Sequence, residues 1–132
     1  MTDRETLLAY RWQQAAETLA DARSMLRAGV SPRSIINRAY YAAFYGVLAL
    51  FLSERVTVKS GKHVGIIGAF NEVFIRTGII PKEYSRTLQR LFERRQRGDY
   101  MELEQLTEDD AAQQVALSES FVAMVRNKLG IS

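Results

Sequence analysis

Apolar residues recur at helical spacing in five segments of this 132-residue chain, and helix start and stop signals bound the segments. Thr2 to Glu5 forms a capping-box pattern, Ser31-Pro32 is a helix start, and Thr107 is followed by three acids. No segment alternates in the manner of a strand. The pattern predicts one all-α domain over residues 1–132, with helices at about 4–28, 32–53, 63–77, 81–97 and 107–130.

The composition is that of a folded protein, with 47% hydrophobic and 25% charged residues. The absence of cysteine excludes disulfide scaffolds, thiolate metal sites and cysteine nucleophiles. The most apolar stretch, Ala39 to Leu52, is shorter than the roughly 20 residues of a spanning helix, which favours a buried core helix. Residues 1–10 lack the apolar run of a signal peptide. We therefore expect a cytoplasmic protein with no membrane partner.

Charge is distributed unevenly along the chain, although its net value is only +3. Residues 82–97 contain six Lys or Arg and two Asp or Glu, whereas residues 98–132 contain two and seven. A basic body with an acidic tail is compatible with a nucleic-acid or nucleotide partner. Ordinary uneven surface charge explains the same distribution.

Helix two contains the densest group of candidate ligand-binding residues. Arg38, Tyr41 and Tyr45 are spaced i, i+3 and i+7, so they share one face of that helix. Small residues lie on another side, where a second helix can approach closely: Ala39, Ala42, Ala43 and Gly46. Either the tyrosines are core residues with hydrogen-bond partners, or Arg38 and Tyr41 line a cleft for an anionic ligand.

Helix four has an apolar stripe that Arg95 continues, so Arg95 should face a groove and have a partner there. A ridge of arginines runs along the adjacent face: Arg86, Arg90, Arg94 and Arg97. This ridge is either solvated surface or a contact for phosphates, which arginine binds in bidentate fashion.

His63, at the predicted start of helix three, is the single histidine of the chain. It packs or caps that helix, or it acts as a general acid or base. No group of His, Asp and Glu has metal-ligand spacing. We therefore expect neither a metal site nor a cofactor.

Several stretches together resemble the HEPN domain family of prokaryotic and archaeal proteins. In chain order they are residues 37–44, 62–65, 74–78, 91–100 and the acidic helix start at 107–110. The resemblance covers residues 5–129 and implies an up-and-down helical bundle that commonly dimerises. It also implies frequent pairing with a small nucleotidyltransferase, often as a toxin–antitoxin couple.

Many members of this family are metal-independent ribonucleases, whose signature is an arginine, a polar residue and a histidine four to six residues after the arginine. In the matching region this chain has Arg94 or Arg95, followed by Asp99 and Tyr100, and no histidine. By resemblance, Arg95 and Tyr100 are candidate catalytic residues, and Arg94 and Asp99 are candidate ligand contacts. Since the signature histidine is absent, His63 from across a cleft is a third catalytic candidate. In nucleotidyltransferase-paired members a tyrosine near the histidine's place can accept adenylate, which Tyr100 matches.

The resemblance and these residues together imply three alternative functions. The first is a toxin-like or substrate-binding partner of a small, antitoxin-like nucleotidyltransferase. The second is a metal-independent endoribonuclease acting on RNA, and the third is a non-catalytic module that binds a nucleotide or another anion. The small-residue side of helix two and the acidic tail beside a basic body also suit a self-complementary interface, so we expect a homodimer.

Overall fold

A computed structural model describes residues 1–100 and 105–131, with side chains described up to Gly98 in the first range. These residues form five α-helices and no strand. The helices are α1 (Asp3–Ala28), α2 (Pro32–Ser53), α3 (His63–Phe70), α4 (Glu83–Tyr100) and α5 (Glu108–Leu129). The predicted all-α bundle is confirmed.

The helix ends follow the signals in the sequence. Thr107 caps α5 through a reciprocal box with Asp110, and Gly29 and Gly130 end their helices with positive φ. Lys62 is the N-cap of α3, and its backbone N–H donates to Ser60 Oγ.

Helix three was predicted to reach residue 77, but its α-helical part ends at Phe70. A π-helical segment, Asn71–Ile75, continues it, and the Arg76 N–H bonds to the Asn71 carbonyl five residues back. Phe70 and Phe74 are both buried. The apolar spacing could not indicate the wider turn, because these two phenylalanines would share a face in an α-helix as well.

Helix α2 is the centre of the bundle and packs against α1, α4 and α5. Ser118 Oγ donates to the Ala39 carbonyl at 2.7 Å, and a Cβ at Gly46 would lie 3.1 Å from Val125 Cγ2. These contacts show that α5 runs parallel to α2 along its small-residue side. Since α5 covers that side within one protomer, the side is not available as the dimer interface that the sequence suggested.

The length and composition of α2 would allow it to cross a membrane. However, 67% of its most apolar window is buried inside the bundle. The largest fully buried side chains of the bundle include Tyr40 of α2 and Phe70, Phe74 and Phe121 of other segments. This burial is that of a core helix.

Candidate functional site

The N-terminal half of α2 carries two consecutive tyrosines with different surroundings. Tyr40 is fully buried, whereas Tyr41 is partly exposed. Because neighbouring residues on a helix point about 100° apart, Tyr40 faces the start of α3 while Tyr41 lies closer to solvent. Their rings meet edge to face, with centroids 5.2 Å apart.

The first residue of α3, His63, lies on this pair of tyrosines. Its Nδ1 atom is 2.5 Å from the Tyr40 hydroxyl, and its ring stacks on Phe44 with centroids 4.3 Å apart and planes 13° from parallel. The Tyr41 ring meets the imidazole edge to face at 5.6 Å. His63 is therefore held in one orientation by aromatic contacts and one hydrogen bond.

Helix α4 brings Arg95 to the same two tyrosines. Its guanidinium carbon lies 5.7 Å from the Tyr40 ring centroid and 5.5 Å from that of Tyr41. Arg95 Nη2 also donates to the Tyr41 hydroxyl at 3.4 Å. The sequence left open whether Arg94 or Arg95 faces the cleft. In the structure Arg95 faces inward.

A second guanidinium approaches Tyr41 from its own helix. Arg38 lies 5.6 Å from the Tyr41 ring centroid and donates to the side chain of Asn37 at 3.1 Å. We refer to Arg38, Tyr40, Tyr41, His63 and Arg95 as the tyrosine–arginine cluster. It places two permanent positive charges beside one partly exposed aromatic ring.

Burial and charge set the protonation of this cluster. Burial raises the pKa of the Tyr40 phenol far above its ordinary value, against the opposing effect of the Arg95 charge. Burial, and then the positive charge of Arg95, lower the pKa of His63. At neutral pH the phenol therefore keeps its proton and the imidazole is uncharged.

Arg94 lies on a different face of α4 and is not part of the cluster. Its guanidinium is 3.8 Å from a carboxylate oxygen of Asp110 in the first turn of α5. The Thr107 backbone N–H, more than Arg94, lowers the pKa of Asp110. Three arginines of the predicted ridge, Arg90, Arg94 and Arg97, line a shallow surface depression together with Glu93.

The remaining sequence candidates are Asp99 and Tyr100, whose side chains lie outside the described residues. Within the described part of the chain, no three His, Cys, Asp or Glu side chains are grouped to hold a metal ion.

Sequence reasoning missed Tyr40 and Phe44 as neighbours of His63. Helical spacing shows which residues of α2 share a face, but not which residue of α3 packs against that face.

The sequence model of the HEPN domain family matches residues 8–128 of this chain. A "UPF0332 protein" of Thermotoga maritima is 36% identical over 122 residues, which are 92% of this chain and 90% of that protein. A Methanocaldococcus jannaschii protein named "Putative toxin MJ0605" is 32% identical over 74% of this chain and 70% of its own length. A second protein of that archaeon, "Putative toxin MJ0142", is 34% identical over 49% of this chain and 43% of its own length. The family match and these identities together show that the chain belongs to the HEPN family.

Proposed function

We propose that this HEPN protein is a toxin-like component that binds RNA or nucleotide phosphates at the tyrosine–arginine cluster, in partnership with a small nucleotidyltransferase. The observation that carries the proposal is the placement of Arg38 and Arg95, 5.6 Å and 5.5 Å from the ring of Tyr41. Two guanidiniums at one partly exposed ring attract an anion and offer donors that match phosphate oxygens.

Aromatic side chains in and beside the cluster suit the bases of such a ligand. Tyr41 and Tyr45 are partly exposed neighbours on α2, with ring centroids 5.9 Å apart. Bases of single-stranded nucleic acids stack on side chains of this kind, while arginines track the backbone. The exposed arginines of α4 would extend the basic surface beyond the cluster.

The names of the two archaeal relatives support the toxin-like part of this proposal. Support for a nucleotidyltransferase partner comes from the family resemblance. A cytoplasmic location and a homodimer belong to the same proposal, with the dimer interface on a face other than the α5-covered side of α2. Light scattering across micromolar concentrations would give a monomer mass if the dimer is wrong.

Binding is tested with a short single-stranded RNA and with AMP, each titrated into the wild-type protein and into Arg95→Ala. We expect saturable binding that Arg95→Ala weakens by about tenfold or more, because a hydrogen bond to a charged group contributes about 1.5–3 kcal/mol. Failure of the wild-type protein to bind either probe would overturn the ligand part of the proposal.

The partnership is tested by co-expression of this protein with a small nucleotidyltransferase whose gene lies beside its own. We expect a stable complex, and in the presence of Mg-ATP a mass increase of one adenylate that Tyr100→Phe abolishes. In that step the phenol oxygen forms a bond to the α-phosphorus of ATP, pyrophosphate leaves, and the phenolic proton passes to solvent. Absence of a complex would remove the nucleotidyltransferase from the proposal.

A second candidate is a metal-independent ribonuclease, favoured because Arg95 and His63 contact the same two tyrosines although they are far apart in sequence. The 2′-hydroxyl oxygen of RNA would bond to the adjacent phosphorus, and the bond to the 5′-oxygen would break. His63 would take the hydroxyl proton, and the leaving oxygen would gain one from water. Cleavage in chelator that both Arg95→Ala and His63→Ala abolish would support this candidate, and intact RNA after long incubation with wild-type protein would refute it.

A further inference from the structure

The hydroxyl of Tyr40 is a buried donor whose one hydrogen bond within the described residues goes to His63 Nδ1. Tyr40 is fully buried, and its ring is enclosed by Tyr41, Phe44, Phe92 and His63. A buried hydroxyl that donates to nothing loses its hydrogen bond to water without replacement, which destabilises the folded protein. The Tyr40 proton therefore has to be given to Nδ1.

This direction of donation decides where the imidazole proton lies. If Nδ1 carried the proton and donated to the phenol oxygen, the phenol's own O–H would have no acceptor in the aromatic surroundings. With Nδ1 as acceptor, a neutral imidazole carries its single proton on Nε2. Burial and the nearby Arg95 charge both keep the ring neutral.

The stacking contacts fix the orientation of the imidazole ring, in addition to its tautomer. Phe44 covers one face of the imidazole at 4.3 Å, and Nδ1 is tied to the buried hydroxyl. The Nε2 edge lies on the far side of the ring from Tyr40, and His63 as a whole is partly exposed. The edge that meets a ligand is therefore the one that bears Nε2.

We propose that Tyr40 is a positioning residue, which fixes His63 as the Nε2–H tautomer so that His63 donates a hydrogen bond to an anionic oxygen of the ligand at Arg95. This inference rests on the proposed function for the identity of the ligand. In this arrangement His63 is a neutral hydrogen-bond donor beside the cationic donor Arg95. It also argues against His63 as the base of the ribonuclease candidate, since Nε2 has no lone pair to accept a proton.

The tautomer is measured directly, because His63 is the single histidine of the chain. In untagged, uniformly 15N-labelled, ligand-free protein, long-range proton–nitrogen spectra give one pair of ring nitrogen shifts. We expect the shift of an unprotonated nitrogen at Nδ1 and that of a protonated nitrogen at Nε2. In Tyr40→Phe the two shifts should move toward those of a mixed population. A protonated Nδ1 in the wild-type protein would overturn the inference whether or not a ligand binds.

The donor is tested with two amide substitutions. In His63→Gln the side-chain NH2 reaches the place of Nε2, whereas in His63→Asn it reaches only that of Nδ1. We expect His63→Gln to bind the short RNA within a few-fold of wild type, and His63→Asn to lose about tenfold. Equal losses in both variants would overturn the donor assignment. If the wild-type protein binds no RNA, the proposed function fails, and the nitrogen shifts still decide the tautomer.

Discussion

Arg95 Nη2 donates to the hydroxyl of Tyr41 at 3.4 Å, across the contact between α4 and α2. Arg95 continues the apolar stripe of α4, and Tyr41 lies on the partly exposed face of α2, so the bond joins these two helix faces. It holds the guanidinium at the edge of the core, where Arg95 is only partly exposed to solvent. Such a position strengthens attraction to a phosphate relative to that of a fully solvated arginine.

Arg95→Lys separates the geometry of the guanidinium from its charge. A lysine keeps the positive charge but loses the planar fork, so we expect RNA affinity between that of wild type and that of Arg95→Ala. Arg76→Ala is the matched control, because Arg76 lies at the end of the π-helical segment and pairs there with Glu72. The control should bind RNA within about twofold of wild type. A similar loss in Arg76→Ala would show that only net charge matters.

The arginine ridge of α4 is tested by the salt dependence of RNA binding. Arg86 and Arg90 are exposed, and Arg90→Ala removes one charge beside Arg94. If Arg90 contacts a phosphate, the slope of log K against log salt becomes shallower by about 0.7. An unchanged slope would identify the ridge as ordinary solvated surface.

Ser118 Oγ on α5 donates a buried hydrogen bond to the Ala39 carbonyl on α2, and removal of this bond should lower stability. Ser118→Ala leaves the Ala39 carbonyl with its helical partner and removes a fully buried bond of 2.7 Å. We expect a loss of about 1 kcal/mol in the free energy of unfolding, measured by urea titration. Ser120→Ala, at an exposed position two residues away, should change stability by less than about 0.5 kcal/mol. Equal effects of the two substitutions would contradict this account.

The sequence predicted the helices well because their ends are chemically marked. Thr107, Gly29 and Gly130 act locally, through caps and left-handed turns, so they can be recognised without a structure. The inward position of Arg95 was predicted in the same way, from the apolar stripe of its own helix. The function of these residues is a prediction that the fold alone does not test.

The cluster itself could be predicted only in part, because it depends on contacts between distant segments. His63 follows a loop whose path the sequence does not encode in any periodic pattern, so its contact with Tyr40 could not be read from spacing. The small residues of α2 did predict a close helix approach. They could not show that the approaching helix is α5 of the same protomer.

Acid should destabilise the fold through His63. The pKa of this imidazole in the folded protein is lowered from its ordinary value of 6.5, by burial and by the Arg95 charge. Between the two values the unfolded chain binds more protons than the folded one. The stability that His63 contributes is therefore fully present above about pH 6.5 and is lost as the pH falls toward the folded value.

Urea titrations of wild type and His63→Gln at about pH 7.5 and about pH 5.5 measure this contribution. The free energy of unfolding should fall more for wild type than for His63→Gln, which has no titrating group at that position. Arg95→Ala should show an intermediate fall, because it removes one of the two causes of the pKa shift. Parallel profiles for wild type and His63→Gln would show that other groups set the acid sensitivity.

Close packing at Gly46 predicts opposite effects of the same substitution at two helical glycines. A Cβ on Gly46 would lie 3.1 Å from Cγ2 of Val125, which is fully buried and cannot move aside easily. Overpacking of this kind costs about 1–3 kcal/mol, and the better helix propensity of alanine offsets up to about 1 kcal/mol. We expect Gly46→Ala to lower the free energy of unfolding by about 1 kcal/mol.

Gly68→Ala is the matched control, since a Cβ there meets no atom within 4 Å. It should raise the free energy of unfolding by about 0.5–1 kcal/mol, because alanine loses less backbone entropy in a helix. A double-mutant cycle between Gly46→Ala and Val125→Ala then identifies the cause. The cost of Gly46→Ala should shrink when Val125 is already truncated, because the methyl group that it meets is gone. A cost that stays unchanged in the Val125→Ala background would mean that Gly46 is needed for a reason other than its contact with α5.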